Sequence, residues 1–174
     1  FQVPASATKS DFRIARRTLD ASAVWDILPE NDGSVWFGTQ AEGLFRISGQ
    51  GLLNIPEDKG LPNNQTLCLL RDREGNLWIG TNGSGLCRFI GTHFMHFTER
   101  EGLPNLQVFG IQPAGNGNIW LATNGSGVCL LDARQGKIIR TLSAKNGLAG
   151  DFVRSLSMEA NGTLWMATTE GITR

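Results

Sequence analysis

The sequence predicts an all-β fold: a β-propeller of four-stranded antiparallel blades, about four of them, with a blade period of 42–45 residues. Three observations predict it. Gly-x-x-Trp recurs as Gly33/Trp36, Gly75/Trp78, Gly117/Trp120 and Gly162/Trp165, so the tryptophans lie 42, 42 and 45 residues apart. A threonine follows each Trp three positions later, at Thr39, Thr81, Thr123 and Thr168. Each copy also holds several short apolar runs separated by Gly, Asn and Asp. A fixed period in the low forties with several strands per period marks a radial β-repeat array.

Each repeat reads as strands a to d from the inside out. Strand a is 24–28, 66–71, 108–112 and 153–157. These runs are apolar without clean alternation, as in strands buried on both faces. The a–b turns are Asp32-Gly33, Glu74-Gly75, Asn116-Gly117 and Asn161-Gly162. Such pairs predict two-residue type I′ hairpins, in which both central residues have positive φ. Strand b is 35–39, 77–81, 119–123 and 164–168. Strand c follows a Gly-rich loop at 44–48, 86–90, 128–132 and 172–174. Strand d is 52–55, 93–97 and 137–142.

A connector then recurs as Gly60-Leu61-Pro62, Gly102-Leu103-Pro104 and Gly147-Leu148-Ala149. Its Pro cannot donate to a ladder and marks the exit from strand d; its Leu anchors the crossing to the next blade. Leu19 holds the same place before the first blade. No helix is expected.

The organisation is therefore a loose arm at 1–10, an outer strand and connector at 11–22, and blades at 23–64, 65–106, 107–151 and 152–174, the last without its outer strand. Two closures are consistent with it, a partial propeller and a four-blade ring. In either, Trp36, Trp78, Trp120 and Trp165 are structural, large rings filling the wedge between blades.

Composition narrows the function classes. The net charge is zero and charged residues are 18% of the chain, which argues against nucleic acid, whose phosphates need a basic footprint. Arg13, Arg16 and Arg17 read as a solvated edge. No apolar run is long enough for a membrane helix. Cys87 and Cys129 occupy one position in neighbouring repeats, about 10 Å apart by sheet stacking, too far for a disulfide. With Cys68 they read as small buried hydrophobes.

At this level of detail the chain resembles a known family. Asp72-x-x-Gly75-Asn76-Leu77-Trp78-Ile79-Gly80-Thr81, then Gly85-Leu86 and Gly102-Leu103-Pro104, is similar to the two-component regulator propeller repeat. The resemblance covers nearly all of 11–174 in four copies. It implies a fragment of a seven-bladed sensor propeller outside the cytoplasm. In that family the propeller stands in front of histidine kinases, hybrid regulators or diguanylate cyclases and is anchored through a membrane helix. Two departures stand out. The motif glycine is Gly38 and Gly80 in two copies but Ala122 and Ala167 in the others; the leading Asp72 is replaced by Glu30, Ala114 and Glu159.

Specificity is expected where the repeats disagree. Trp25 aligns with Leu67, Phe109 and Arg154, and Asp26 with Cys68, Gly110 and Ser155. Trp25, Asp26 and Arg154 are the candidate ligand-binding residues, lining an axial channel. No catalytic residues, metal site or cofactor is assigned. His93 and His96 are three apart on a strand and face opposite ways. The Asp-rich calcium loop is missing. Asn64, Asn82, Asn124 and Asn161 fit glycosylation sequons, but the last three fall in repeat turns, where turn chemistry accounts for them.

The expected function is a non-catalytic, extracytoplasmic ligand-sensing module of a bacterial signalling protein. Its expected partner is a small extracellular ligand, with a saccharide the first candidate, and a second copy joined through blade edges. The alternatives are a secreted propeller enzyme, a lyase or glycosidase, and an assembly scaffold.

Overall fold

The computed structural model describes residues 23–174. Expectations for 1–22, the loose arm, outer strand and Leu19 anchor, lie outside the described residues. Blade 1 is β1 (Val24–Pro29), β2 (Val35–Thr39), β3 (Leu44–Ser48) and β4 (Gly51–Ile55). Blade 2 is β5 (Thr66–Arg71), β6 (Leu77–Thr81), β7 (Leu86–Ile90) and β8 (His93–Phe97). Blade 3 is β9 (Val108–Gly115), β10 (Asn118–Thr123), β11 (Val128–Asp132) and β12 (Lys137–Leu142). Blade 4 is β13 (Val153–Met158), β14 (Leu164–Thr168) and β15 (Gly171–Thr173). Each blade is one sheet in sequence order with antiparallel neighbours, the last with three strands among the described residues. This is a four-blade β-propeller. The inner strands pack in succession, β1 on β5, β5 on β9 and β9 on β13.

The core is a series of wedges between blades. Trp36, Leu44 and Leu61 of blade 1 and its connector meet Leu69, Leu77, Ile79 and Cys87 of blade 2. Trp78, Leu86 and Leu103 meet Ile119, Leu121 and Cys129 of blade 3. Val128 and Leu148, with half-buried Trp120 beside them, meet Val153 and Met166 of blade 4. Each Trp thus points at the following blade, and the residue after it points back at the preceding one.

Trp36 is 3% exposed, Trp78 is 0% exposed and Trp120 is half-buried, each against the next blade, whereas Trp165 is 37% exposed. Trp165 lies on the face of blade 4 turned away from blade 3. Among the described residues no blade packs on that face, so an identical motif meets a different environment.

The repeated threonines close the b–c loops. Thr39, Thr81, Thr123 and Thr168 each donate their hydroxyl to the carbonyl of Gly43, Gly85, Gly127 or Gly171 at 2.8–2.9 Å. Buried hydroxyls need such partners, and this is why a Thr rather than a Val ends strand b.

The type I′ expectation holds in blade 3 alone. There Asn116 (φ 53°) and Gly117 (φ 77°) are both left-handed. In the other blades only the glycine is, and the turn is one residue longer. Gly33 donates to the Glu30 carbonyl while Glu30 donates to Ser34; Gly75 with Asp72 and Gly162 with Glu159 repeat the arrangement. These are type I turns followed by a left-handed Gly in a bulge. An Asp-Gly or Asn-Gly pair serves either turn, and strand register decides between them.

The connectors correct the expectation of no helix. Single 3-10 turns span Glu57–Lys59, Glu99–Glu101 and Ala144–Asn146, each ended by a left-handed glycine, Gly60, Gly102 or Gly147. The next residue, Leu61, Leu103 or Leu148, is buried as expected.

Candidate functional site

A β-bulge at the start of each inner strand builds the axial site. The pairing of β1 with β2 runs Val24↔Thr39 then Asp26↔Gly38, leaving Trp25 unpaired. The same slip leaves Leu67 unpaired in β5, Phe109 in β9 and Arg154 in β13. A bulge re-aims a side chain, and these four turn toward the axis. They line a cavity of about 250 Å³ with Asp26, Cys68, Gly110, Ser155 and the residues that follow.

All three sequence candidates, Trp25, Asp26 and Arg154, therefore line one cavity. Their local roles differ. Trp25 is 54% exposed although it sits on an inner strand. Asp26 is held by the backbone: Oδ2 accepts from Leu69 N at 2.7 Å across the blade boundary, and Oδ1 from Ile27 N at 2.8 Å. It ties β1 to β5. The Arg154 guanidinium stacks on the Phe109 ring at 4.7 Å. No carboxylate of the described residues pairs with it.

Beside Asp26 the Cys68 thiol contacts the Val108 carbonyl oxygen at 3.4 Å. Burial, aided by the Asp26 charge, pushes its pKa far up. It is an uncharged packing group, as are Cys87 and Cys129, and all three cysteines are unpaired.

Sequence reasoning missed two features. Phe109 was legible only as an equivalent of Trp25, and the structure makes it the shelf for Arg154. The second is an arginine opposite the repeated Trp. Arg46, Arg88 and Arg174 lie over Trp36, Trp78 and Trp165 at 5.4, 5.3 and 6.0 Å. Strand register enforces the first two contacts, Trp36↔Arg46 and Trp78↔Arg88, whereas Trp120 faces Leu130. A fixed offset of ten residues, nine in the last copy, was the available signal.

The leading acidic residue also gains a reason. Asp72 accepts from the Trp78 indole at 2.7 Å, and Glu159 from the Trp165 indole at 2.6 Å. In blade 1 the equivalent Glu30 turns to Arg71 of blade 2 instead, and the buried Trp36 indole N–H has no partner among the described residues.

Two further clefts lie between blades. One of about 400 Å³ is bounded by Glu30, Asp32, Arg46 and Arg71, and one of about 230 Å³ by Asp72, Arg73, Glu74 and Arg134. In the first, Arg46 and Arg71 already pair with Asp32 and Glu30. Among the described residues no cluster of three His, Cys, Asp or Glu side chains is placed to hold a metal ion, and no helix is long and apolar enough to cross a membrane.

Comparison with known proteins agrees with the geometry. The two component regulator propeller family matches residues 60–83 and 102–125. No curated protein matches the sequence. The extracellular domain of BT3049 from B. thetaiotaomicron, assigned to a hybrid two component system, superposes with a TM-score of 0.74 at 26% identity. That match covers 88% of this chain and 21% of that one. The extracellular domain of BT4673 from the same organism gives 0.75 at 20% identity, covering 89% of this chain and 25% of that one. Virginiamycin B lyase from Staphylococcus aureus gives 0.68 at 22% identity, covering 87% and 55%. This chain thus spans a fifth to a quarter of the two extracellular domains and about half of the lyase. Residues 60–83 and 102–125 thus match the two component regulator propeller family, and the fold is similar to that of extracellular domains assigned to bacterial signalling systems.

Proposed function

We propose that this chain is the ligand-sensing, non-catalytic propeller segment of a bacterial signal-transduction protein, working outside the cytoplasm with its ligand at the axial cavity. The observation that carries the reading is the cavity itself. Four structurally equivalent bulge positions meet there, and they are occupied by Trp25, Leu67, Phe109 and Arg154. A scaffold position repeats; a recognition position diverges. The similarity to an extracellular domain assigned to a two component system supports the cellular setting. Association of two copies through blade edges belongs to the same proposal, and light scattering after gel filtration reads it.

The enzyme reading has the lyase fold in its favour. Against it, no histidine lines the axial cavity; His93 and His96 are exposed on the outer strand β8.

Thermal denaturation of the chain against a panel of monosaccharides and oligosaccharides tests the reading. A ligand at a hundred times its Kd adds about 2.7 kcal/mol. For a domain of this size that raises Tm by roughly 5–10 °C. The rise should vanish in Trp25→Ala. Turnover of a bound saccharide, detected by mass spectrometry, would support the enzyme reading instead. A Tm rise that survives Trp25→Ala would move the site elsewhere.

A further inference from the structure

The axial cavity carries more than its location. Among its lining residues only Asp26 and Arg154 are charged. Asp26 is committed, since each of its oxygens accepts a backbone N–H. Arg154 is not: it is solvent-exposed, and among the described residues its partner is the Phe109 ring beneath it. A guanidinium resting over a ring still has N–H groups to offer a ligand, and its planar fork matches a carboxylate in two parallel hydrogen bonds. Stacking also fixes the side chain beforehand, so less freedom is lost on binding.

Arg154 is the one charge among the four bulge residues. Leu67 and Phe109 supply apolar walls, and Trp25 supplies a broad ring exposed to the cavity. An aromatic ring left half in solvent on an inner strand is a ready stacking surface for the apolar face of a small ring. The volume of about 250 Å³ lies below the usual range for drug-sized pockets, ~300–1,000 Å³, and suits a ligand of one ring. A single cation beside a fixed carboxylate favours a monoanion over a dianion.

We infer that the axial cavity binds a small ring-bearing carboxylic acid, a uronic acid on the saccharide reading, with Arg154 holding the carboxylate and Trp25 stacking on the ring. This rests on the axial site proposed above and adds the ligand's charge and the residue that reads it.

The test is an NMR titration of the chain with D-glucuronate, D-glucose, acetate and sulfate. The backbone amides of 153–156 and the Trp25 indole N–H report occupancy. Glucuronate should shift both sets and bind tighter than glucose or acetate, because only glucuronate has both ring and carboxylate. Arg154→Gln should weaken glucuronate roughly ten- to hundredfold, the usual worth of a charge-assisted hydrogen bond, and weaken glucose far less. Arg154→Lys should recover only part, since an ammonium lacks the fork. Trp25→Ala should weaken glucuronate and glucose together. Arg154 is exposed, so its variants should keep the wild-type amide spectrum away from 153–156 and Phe109.

Equal binding of glucose and glucuronate, both indifferent to Arg154→Gln, would overturn the carboxylate assignment and leave the axial site standing. Sulfate displacing glucuronate at equal concentration would likewise overturn it, leaving a general anion site. No shift at 153–156 or Trp25 with any of the four would overturn the inference, and a panel saccharide binding with Trp25 dependence would then still uphold the site.

Discussion

Gly80→Ala is expected to destabilise the propeller, although its backbone tolerates any side chain. Gly80 is not among the glycines with positive φ. A Cβ there would instead meet the Val108 carbonyl oxygen at 2.7 Å, Val108 Cγ1 at 3.0 Å and, closer still, the Cys68 sulfur. Val108 belongs to β9, packed between β5 and β13, and has little room to withdraw. Overpacking of this kind costs about 1–3 kcal/mol. The lost glycine freedom of the unfolded chain returns about 0.4–1 kcal/mol. The net loss is about 1–2 kcal/mol, or a Tm lower by roughly 2–8 °C at this chain length.

Blade 3 shows how the same step is tolerated. Ala122 replaces the motif glycine, and its cross-strand partner is Gly110 where Gly80 faces Cys68. A Cβ on Gly110 would in turn meet that of Ala122 at 3.3 Å. Small residues are traded across the pair. Cys68→Gly combined with Gly80→Ala should therefore be less destabilised than the sum of the single variants, with a coupling of about 0.5–1.5 kcal/mol. Urea unfolding followed by tryptophan fluorescence measures all four corners of the cycle. A Gly80→Ala Tm at or above wild type, or strict additivity in the double variant, would refute the reasoning.

Two further outcomes follow from burial. Trp78→Ala removes a fully buried ring and should cost about 3–5 kcal/mol, whereas Trp165→Ala, on the face of blade 4 that no described blade covers, should cost a small fraction of that; chemical denaturation of the two variants compares them. The three thiols should resist a water-soluble disulfide reagent in the folded protein, because Cys68, Cys87 and Cys129 are buried and burial pushes the Cys129 pKa up to about 12. Urea should expose all three, which a colorimetric thiol count would register.

The repeat carried most of the fold. Four copies of Gly-x-x-Trp with Thr at a fixed offset specify strand b and its turns, and Gly-Leu-Pro specifies the connector. These positions obey local rules: a left-handed glycine where a chain must turn, and a buried apolar residue where a blade meets its neighbour. For the same reason the sequence alone singled out Trp25, Asp26 and Arg154 as positions where equivalent residues diverge.

Tertiary structure decided what depends on a second blade. It set Trp165 apart from three residues of identical motif, because burial belongs to the neighbour and not to the residue. It separated Asp72, which accepts from an indole, from Glu30, which crosses to Arg71. It turned an Asp-Gly pair into a three-residue bulged turn, since register is a property of two strands. Above all it turned Trp25, Leu67, Phe109 and Arg154 inward through one bulge per blade. Residues more than forty positions apart then met at a single cavity, which local sequence rules do not encode.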